Sequence, residues 1–406
     1  MSWQEKTIDQ LGKVITGKTP PTKNRAMYDG DYMFVTPTDL DWQSYYVRNT
    51  HSTVTELARD RHKNQFIPAN TIVFTCIGNT IGKCGLASAD CLSNQQINSV
   101  VVNEEHDPKF VYYLLNHSRA KIRSIGLSCG AAQPIINKST FSSIKVSVPE
   151  TKLEQERISS VLSAYDDLIE NNQRRVALLE ETARLLYREW FVHFRFPGHE
   201  QVKIIDGVPE NFDVLELANF CKLRGGNAFK TKFQGKPSGD YPFIKVGDMN
   251  SAGNSVSITE ANNWVSEMEA KAIKAKAFPP GTVVFAKIGE ALKQNRVRLI
   301  SRNTLIDNNM MGAVPDEESI SPVLLYCLLS DYDIASHASG AAVPFLTATV
   351  LSQLKFPIPN KTLRTEFERI VVPILKQVAN LQIQITTTAK ARDLLLPRLM
   401  DGRLEV

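Results

Sequence analysis

Two stretches of the chain carry apolar residues in alternating steps of four and three. The first runs through Ile158, Leu162, Tyr165, Ile169, Asn172, Val176, Leu179, Ala183, Leu186 and Trp190. The second runs through Phe367, Val371, Ile374, Val378, Leu381, Ile385, Thr388, Arg392, Leu395 and Leu399. This spacing is the heptad seam of a coiled coil, and it is longer than an amphipathic helix lying on one small domain needs. Each stretch is therefore expected to form a long helix, and two such helices on one chain can pair antiparallel. Asn172 is a polar seam position that would fix register at some cost in stability. Pro373 should kink the second helix or shift its start.

The segments outside the seams have a different pattern. Thr71 to Ile77 (TIVFTCI) and Thr282 to Ile288 (TVVFAKI) are runs of β-branched and aromatic residues, as in buried strands. Phe110 to Asn116 and Val323 to Ser330 read as short helices, and the Gly and Pro clusters at Gly17 to Pro21, Gly225-Gly226 and Pro279 to Gly281 read as loops. These elements belong to an internal repeat of about 210 residues. Tyr32 to Val35 with Asp39-Leu40 returns as Tyr241 to Ile244 with Asp248-Met249, and Ile67 to Gly78 returns as Phe278 to Gly289. Cys129 to Pro134 returns as Ser339 to Pro344, and Ile144 to Pro149 as Leu354 to Pro359. Four matches in the same order at nearly one offset mark a duplicated unit.

The expected fold is α/β (α+β): two similar globular domains in pseudo-symmetric tandem, separated by an antiparallel coiled coil of two long helices. The expected boundaries are a first domain over 1–150, a central spacer helix over 151–193, a second domain over 194–360 and a C-terminal spacer helix over 361–406. A helix of roughly 38 residues at about 1.5 Å per residue is about 57 Å long, and successive turns of one DNA groove are about 34 Å apart. A strut of that length could hold two readers on separate segments of one duplex.

Composition fits a protein with real cores: 406 residues, 43% hydrophobic and 22% charged. The segment Met1 to Gln10 is polar, and no long apolar run spans a membrane, so a cytoplasmic protein without membrane partners is expected. The cysteines at 76, 84, 91, 129, 221 and 327 form no CxxC pair, which argues against a zinc site or a disulfide framework. Net charge is only +4, modest for a chain binding many phosphates alone, so partner subunits are expected to supply much of the phosphate contact if DNA is bound.

Catalytic motifs are missing. Neither Pro20-Pro21 nor Pro279-Pro280 has the amide or acid before it and the aromatic after it that amino-methyltransferases use. Gly78 to Cys84 looks like a phosphate loop, but it is one residue short and lacks the final Ser/Thr. Pro315-Asp316 has no Glu-x-Lys at useful spacing, and His193 and His199 have no third ligand nearby. No catalytic residue, metal site or cofactor is expected in this chain.

The sequence resembles the specificity subunits (HsdS-type) of type I restriction-modification systems. The resemblance rests on the repeat plan and on local segments. These are Trp3 with Leu11-Gly12 and Thr16 to Pro20; Asn79 to Lys83 with Asn94 to Gln96; Leu153 to Ile158 entering the central helix; Leu185 to Phe196 leaving it; and Leu394 to Gly402. It implies that each globular copy is a target-recognition domain reading half of a bipartite double-stranded DNA site. It further implies that the helices set the spacing and dock two methyltransferase subunits, which a nuclease/translocase (restriction) subunit joins. Those partners would use S-adenosylmethionine, and ATP with Mg. The second copy departs in detail. Gly225 to Ala228 stand where Gly17 to Pro20 stand, and Asp307-Asn308-Asn309 where Asn94-Gln95-Gln96 stand, as expected if the half-sites differ.

Recognition chemistry then selects candidates. Arg and Lys suit guanine and Asn and Gln suit adenine in the major groove, while other polar groups hold phosphates. The DNA-binding candidates are Lys18, Thr19, Lys23, Asn79, Lys83, Gln95 and Gln96 in the first copy. In the second they are Arg224, Asn227, Lys230, Lys287, Lys293, Asn308 and Asn309. The Arg119 to Arg123 segment is also rich in such groups. The amides at Gln95-Gln96 and Asn308-Asn309 occupy matched places and could read adenine or tie loops. Trp190, Phe191 and Phe194 are expected to pack rather than to stack on bases. Two other readings stay open here: a standalone fused restriction-methylase, and a tandem scaffold that binds only protein.

Overall fold

In the computed structural model the chain divides into two compact units, residues 1–168 with 388–406 and residues 169–387. The structure describes residues 2–43, 45–128, 134–251, 253–340 and 344–406. Most of the repeat match at Cys129 to Pro134 and Ser339 to Pro344 lies outside the described residues.

The first unit is built on a five-stranded sheet in the order Gly12–Thr16, Ile97–Val102, Ile72–Thr75, Cys84–Ala87, Tyr46–Val47. Its neighbours are antiparallel except the last pair, which is parallel. The expected TIVFTCI strand is the buried Ile72–Thr75. A second sheet has the order Ser52–Val54, Tyr28–Val35, Cys91–Ser93, Phe66–Ile67, and Trp3–Thr7 pairs with Lys145–Pro149. The helix Pro108–Leu127 starts with proline at its first position, and the Asp107 carboxylate accepts from Phe110 N–H at 2.8 Å. It runs well past Asn116, the end expected from the sequence. Beyond that point only Ile122 and Gly126 are buried, too sparse an apolar signal to read without the fold. Phe74, Phe110, Tyr112, Tyr113 and Phe141 fill the core between helix and sheet.

The second unit repeats this plan. Its five-stranded sheet has the order Cys221–Gly225, Met310–Pro315, Val283–Ala286, Val297–Ile300, Ser257–Ile258, again with a parallel last pair. A smaller sheet has Tyr241–Ile244 between Trp264–Val265 and Leu305–Ile306, and Phe212–Glu216 pairs with Lys355–Pro359. The helix Pro322–Asp331 takes the place of Pro108–Leu127 and is capped by Ser321.

The long helices span Lys152–Tyr187, followed by a π-helical turn over Arg188–Val192, and Lys361–Met400. The second begins well before Pro373 and continues through it, so the proline does not set the start. The start is fixed instead by Asn360, whose side chain accepts from Leu363 N–H at 3.0 Å. Every seam position read from the sequence is buried or half-buried. In the first unit Ile158 and Leu162 share a core with Leu396, Leu399 and Met400. In the second, Val176, Ala183 and Tyr187 share one with Phe367, Val371, Val378, Leu381 and Ile385, and Ile169, Leu179, Leu186 and Ile374 pack against it. Pairing is antiparallel within each unit: Asp166 binds Arg392 in the first, and the Asn172 amide donates to Gln384 at 3.4 Å in the second. Trp190, Phe191 and Phe196 are packed beside Phe212, with Phe191 4.8 Å from the Phe367 ring.

Candidate nucleic-acid interface

Strand register brings the first copy's loops to one end of its sheet. Thr16 pairs with Asn98, and Ile97 with Thr75, so the ends of Gly12–Thr16 and Ile72–Thr75 meet the start of Ile97–Val102. The loops leaving those three points carry Lys18 and Thr19, Asn79, and Gln95 and Gln96. Gly17 makes this approach possible. A Cβ there would lie 2.3 Å from the carbonyl oxygens of Ser93 and Asn94, so no other residue fits without backbone movement. The Thr19 hydroxyl donates to Gln95 Oε1 at 2.7 Å. Gln95 and Asn79 are exposed, and Gln96 is half-buried with its amide beside Asn94. Lys18 and Lys23 are exposed. Lys83 is half-buried and donates to the Pro37 carbonyl at 3.3 Å, so its ammonium is held by its own domain.

Positive charge gathers nearby. Burial pushes the His62 imidazole below its ordinary pKa, and the charges of Lys18 and Arg61 push it further down. The Arg119 side chain lies beside Gly82, and Arg119 and Arg123 hold their guanidinium groups 6.0 and 5.9 Å from the half-exposed Trp42 ring. No local pattern marks Trp42 in the sequence; only the fold brings it to these arginines.

The second copy repeats the arrangement with other side chains. Gly225 pairs with Met311 and Ala286 with Met310, so the loops with Asn227, Lys287 and Asn308-Asn309 again leave one sheet end. The match between the copies shifts by one residue here: strand register sets Gly225 opposite Met311 as Thr16 is opposite Asn98, so Gly226 rather than Gly225 plays the part of Gly17, and a Cβ there would lie 2.1 Å from the Asp307 carbonyl oxygen. Lys287, Asn308, Asn309 and Phe345 line a cleft of about 510 Å³. Lys230 is exposed at the entry to the turn Thr231–Phe233. Two candidates are engaged elsewhere. The Arg224 guanidinium sits 3.8 Å over the Phe278 ring and donates to the carbonyls of Lys276 and Ala277, each at 2.9 Å. Lys293 lies on the short helix Glu290–Lys293, paired with Glu290 at 3.1 Å.

Among the described residues no cluster of three or more His, Cys, Asp or Glu could hold a metal ion. The described cysteines, at 76, 84, 91, 221 and 327, are free and buried, and burial alone pushes the Cys221 thiol up to about 12. No described helix is long and apolar enough to cross a membrane. What the two sheet ends offer is hydrogen-bonding amides and cations on a rigid scaffold, a chemistry of recognition.

Comparison with known proteins agrees with this layout. The family model described as the type I restriction modification DNA specificity domain matches residues 1–181 and again 209–392. The chain is 28% identical, over its whole length and 94% of the relative's, to the type I restriction enzyme MjaIX specificity subunit of Methanocaldococcus jannaschii. It is 29% identical over 46% of its length, and 40% of the relative's, to the HindI specificity subunit of Haemophilus influenzae. The crystal structure of a type I restriction-modification system S subunit from M. genitalium shares the fold, with a TM-score of 0.61 at 18% identity over 98% of this chain and 96% of that one. With the specificity domain matched twice over most of its length, the chain belongs to the type I restriction-modification DNA specificity family.

Proposed function

We propose that this chain is the recognition subunit of a type I restriction-modification enzyme and that each globular copy reads one half of a bipartite duplex site. The observation that carries the reading is the doubled sheet end: one backbone scaffold, with a glycine at the closest approach in each copy, presents Gln95-Gln96 in one and Asn308-Asn309 in the other. A constant frame with differing readers is what two unlike half-sites require. The recognition domains correspond to residues 1–150 and 194–360. The helical segments 151–193 and 361–406 set the spacing between half-sites and dock two methyltransferase subunits, to which nuclease/translocase subunits attach in the cytoplasm. The chain contributes no catalytic group or cofactor of its own; the partners use S-adenosylmethionine, and ATP with Mg.

The test is a domain exchange. Residues 1–150 are replaced by the matching part of another specificity subunit, and host DNA methylation is mapped by sequencing. One half-site should change while the other half and the spacing stay. A change in both halves, or in neither, would reject the division of labour. The alternatives of a fused restriction-methylase or a protein-only scaffold predict, respectively, methyl transfer by the purified chain alone and no dependence of host methylation on this chain.

A further inference from the structure

In each unit one large apolar side chain stands out of the surface at the same place in the fold. In the first unit Cys76 N–H donates to the Gln96 carbonyl at 2.8 Å, Ile136 N–H to the Cys76 carbonyl at 2.9 Å, and Gly78 N–H to the Pro134 carbonyl at 2.8 Å. In the second, Lys287 N–H donates to the Asn309 carbonyl at 2.9 Å, Leu346 N–H to the Lys287 carbonyl at 2.8 Å, and Gly289 N–H to the Pro344 carbonyl at 2.8 Å. The bridges Ile77–Ile135 and Ile288–Phe345 complete the same joint in both. Extended backbone turns successive side chains to opposite faces. Ile136 and Leu346 point inward at 2% and 4% exposure, so Ile135 and Phe345 point outward at 49% and 44%.

A lone exposed apolar residue carries little meaning. These two differ in their surroundings. Each is pinned by backbone on both sides, so it cannot fold back onto its own core. Each stands at the sheet end that carries the amides, and Phe345 lines one cleft with Lys287, Asn308 and Asn309. Amides and lysines find donors and acceptors on base edges. An apolar side chain among them has a single apolar counterpart on those edges, the thymine C5-methyl group in the major groove. We infer that Ile135 and Phe345 are specificity-determining residues that each contact a thymine methyl, one in each half-site. This rests on the reading of the units as half-site readers.

The experiment uses the complex of the full chain with its methyltransferase subunits and duplexes in which each dT of the mapped site is replaced, singly, by dU. Wild type should lose about fourfold in affinity at one position per half-site, the effect of one methyl group's burial. Phe345→Ala should abolish that sensitivity in one half-site only, Ile135→Ala in the other, and Phe345→Leu should retain it. Both alanine changes are at exposed positions, and unchanged melting temperatures would show that folding is intact. The inference is overturned if wild type tells its half-sites from random DNA yet ignores dU, if the alanine variants keep full dU sensitivity, or if a half-site has no thymine on either strand. Loss of DNA bending in the alanine variants without loss of dU sensitivity would also overturn it, pointing to a wedge between base steps instead. If wild type cannot tell its half-sites from random DNA, the reading beneath the inference fails first.

Discussion

Asp166 lies buried in the first unit with its carboxylate between the Arg392 guanidinium and the Tyr113 hydroxyl, its side chain only 3% exposed. Burial pushes this carboxyl above its ordinary pKa even though Arg392 and Tyr113 both pull it down, so desolvation outweighs the pairing. Arg392→Met removes the partner and leaves the carboxylate in place. The cost of stranding one member of a buried pair is about 3–5 kcal/mol. For a unit of this size, about 2–4 °C per kcal/mol turns that into a fall of roughly 6–20 °C in melting temperature. The triple replacement Asp166→Leu/Arg392→Met/Tyr113→Phe removes every buried polar member at similar volume and leaves only the exposed Asp393, which also pairs with Arg392. It should restore wild-type stability or exceed it by about 1–4 kcal/mol. Calorimetry of the full chain reads the transitions, and hydrogen exchange over Pro108–Leu127 against Pro322–Asp331 assigns them to units. A loss below about 1 kcal/mol for Arg392→Met, or a triple variant no better than the single, would refute the reasoning.

Three further outcomes are expected. His106 is buried, with the Lys6 ammonium 3.2 Å from Nε2 and Gln155 at Nδ1, and burial followed by the Lys6 charge lowers its pKa. A depressed folded value means its contribution is present above the ordinary 6.5 and is lost as pH falls through the folded value, so His106→Gln should flatten the first unit's melting temperature between neutral and acid pH. Gln382 is 1% exposed, and both amide atoms lack a partner among the described residues, so Gln382→Met should raise the second unit's stability by about 1–3 kcal/mol in denaturant titration. Gly17→Ala and Gly226→Ala drive a Cβ into backbone carbonyls and should each cost about 1–3 kcal/mol, with methylome sequencing showing degraded recognition of one half-site apiece.

Much of this was legible in the sequence because it rests on local pattern. The β-branched runs before Gly78 and Gly289 announce buried strands, and the four-three spacing announces helices whose seam is buried along its length. The duplication is legible because both copies keep the same strand and turn residues. What the sequence conceals is set by tertiary contact. Arg224 has the composition of a DNA contact, yet its guanidinium packs on Phe278, a residue far along the chain. Lys83 likewise spends its charge on the Pro37 carbonyl. Nothing in the sequence separates Ile135 and Phe345 from their apolar neighbours; only the fold, burying Ile136 and Leu346, turns them outward. Asp166 is an unremarkable acid between heptad positions until Tyr113 and Arg392 close around it.

The division of the chain at 168/169 and 387/388 has a consequence for biosynthesis. The second unit is one unbroken segment, 169–387, and everything its core needs is present once that stretch has left the ribosome. The first unit is made first yet stays unfinished, because Leu396, Leu399 and Met400 belong to the core that holds Ile158 and Leu162. Closing it means joining segments separated by the whole of the second unit, 169–387, a slow step by loop entropy and contact order. The amino-terminal reader is therefore the last piece to mature, and a nonsense codon just before Thr388 would cripple that distant reader while sparing the one beside the break.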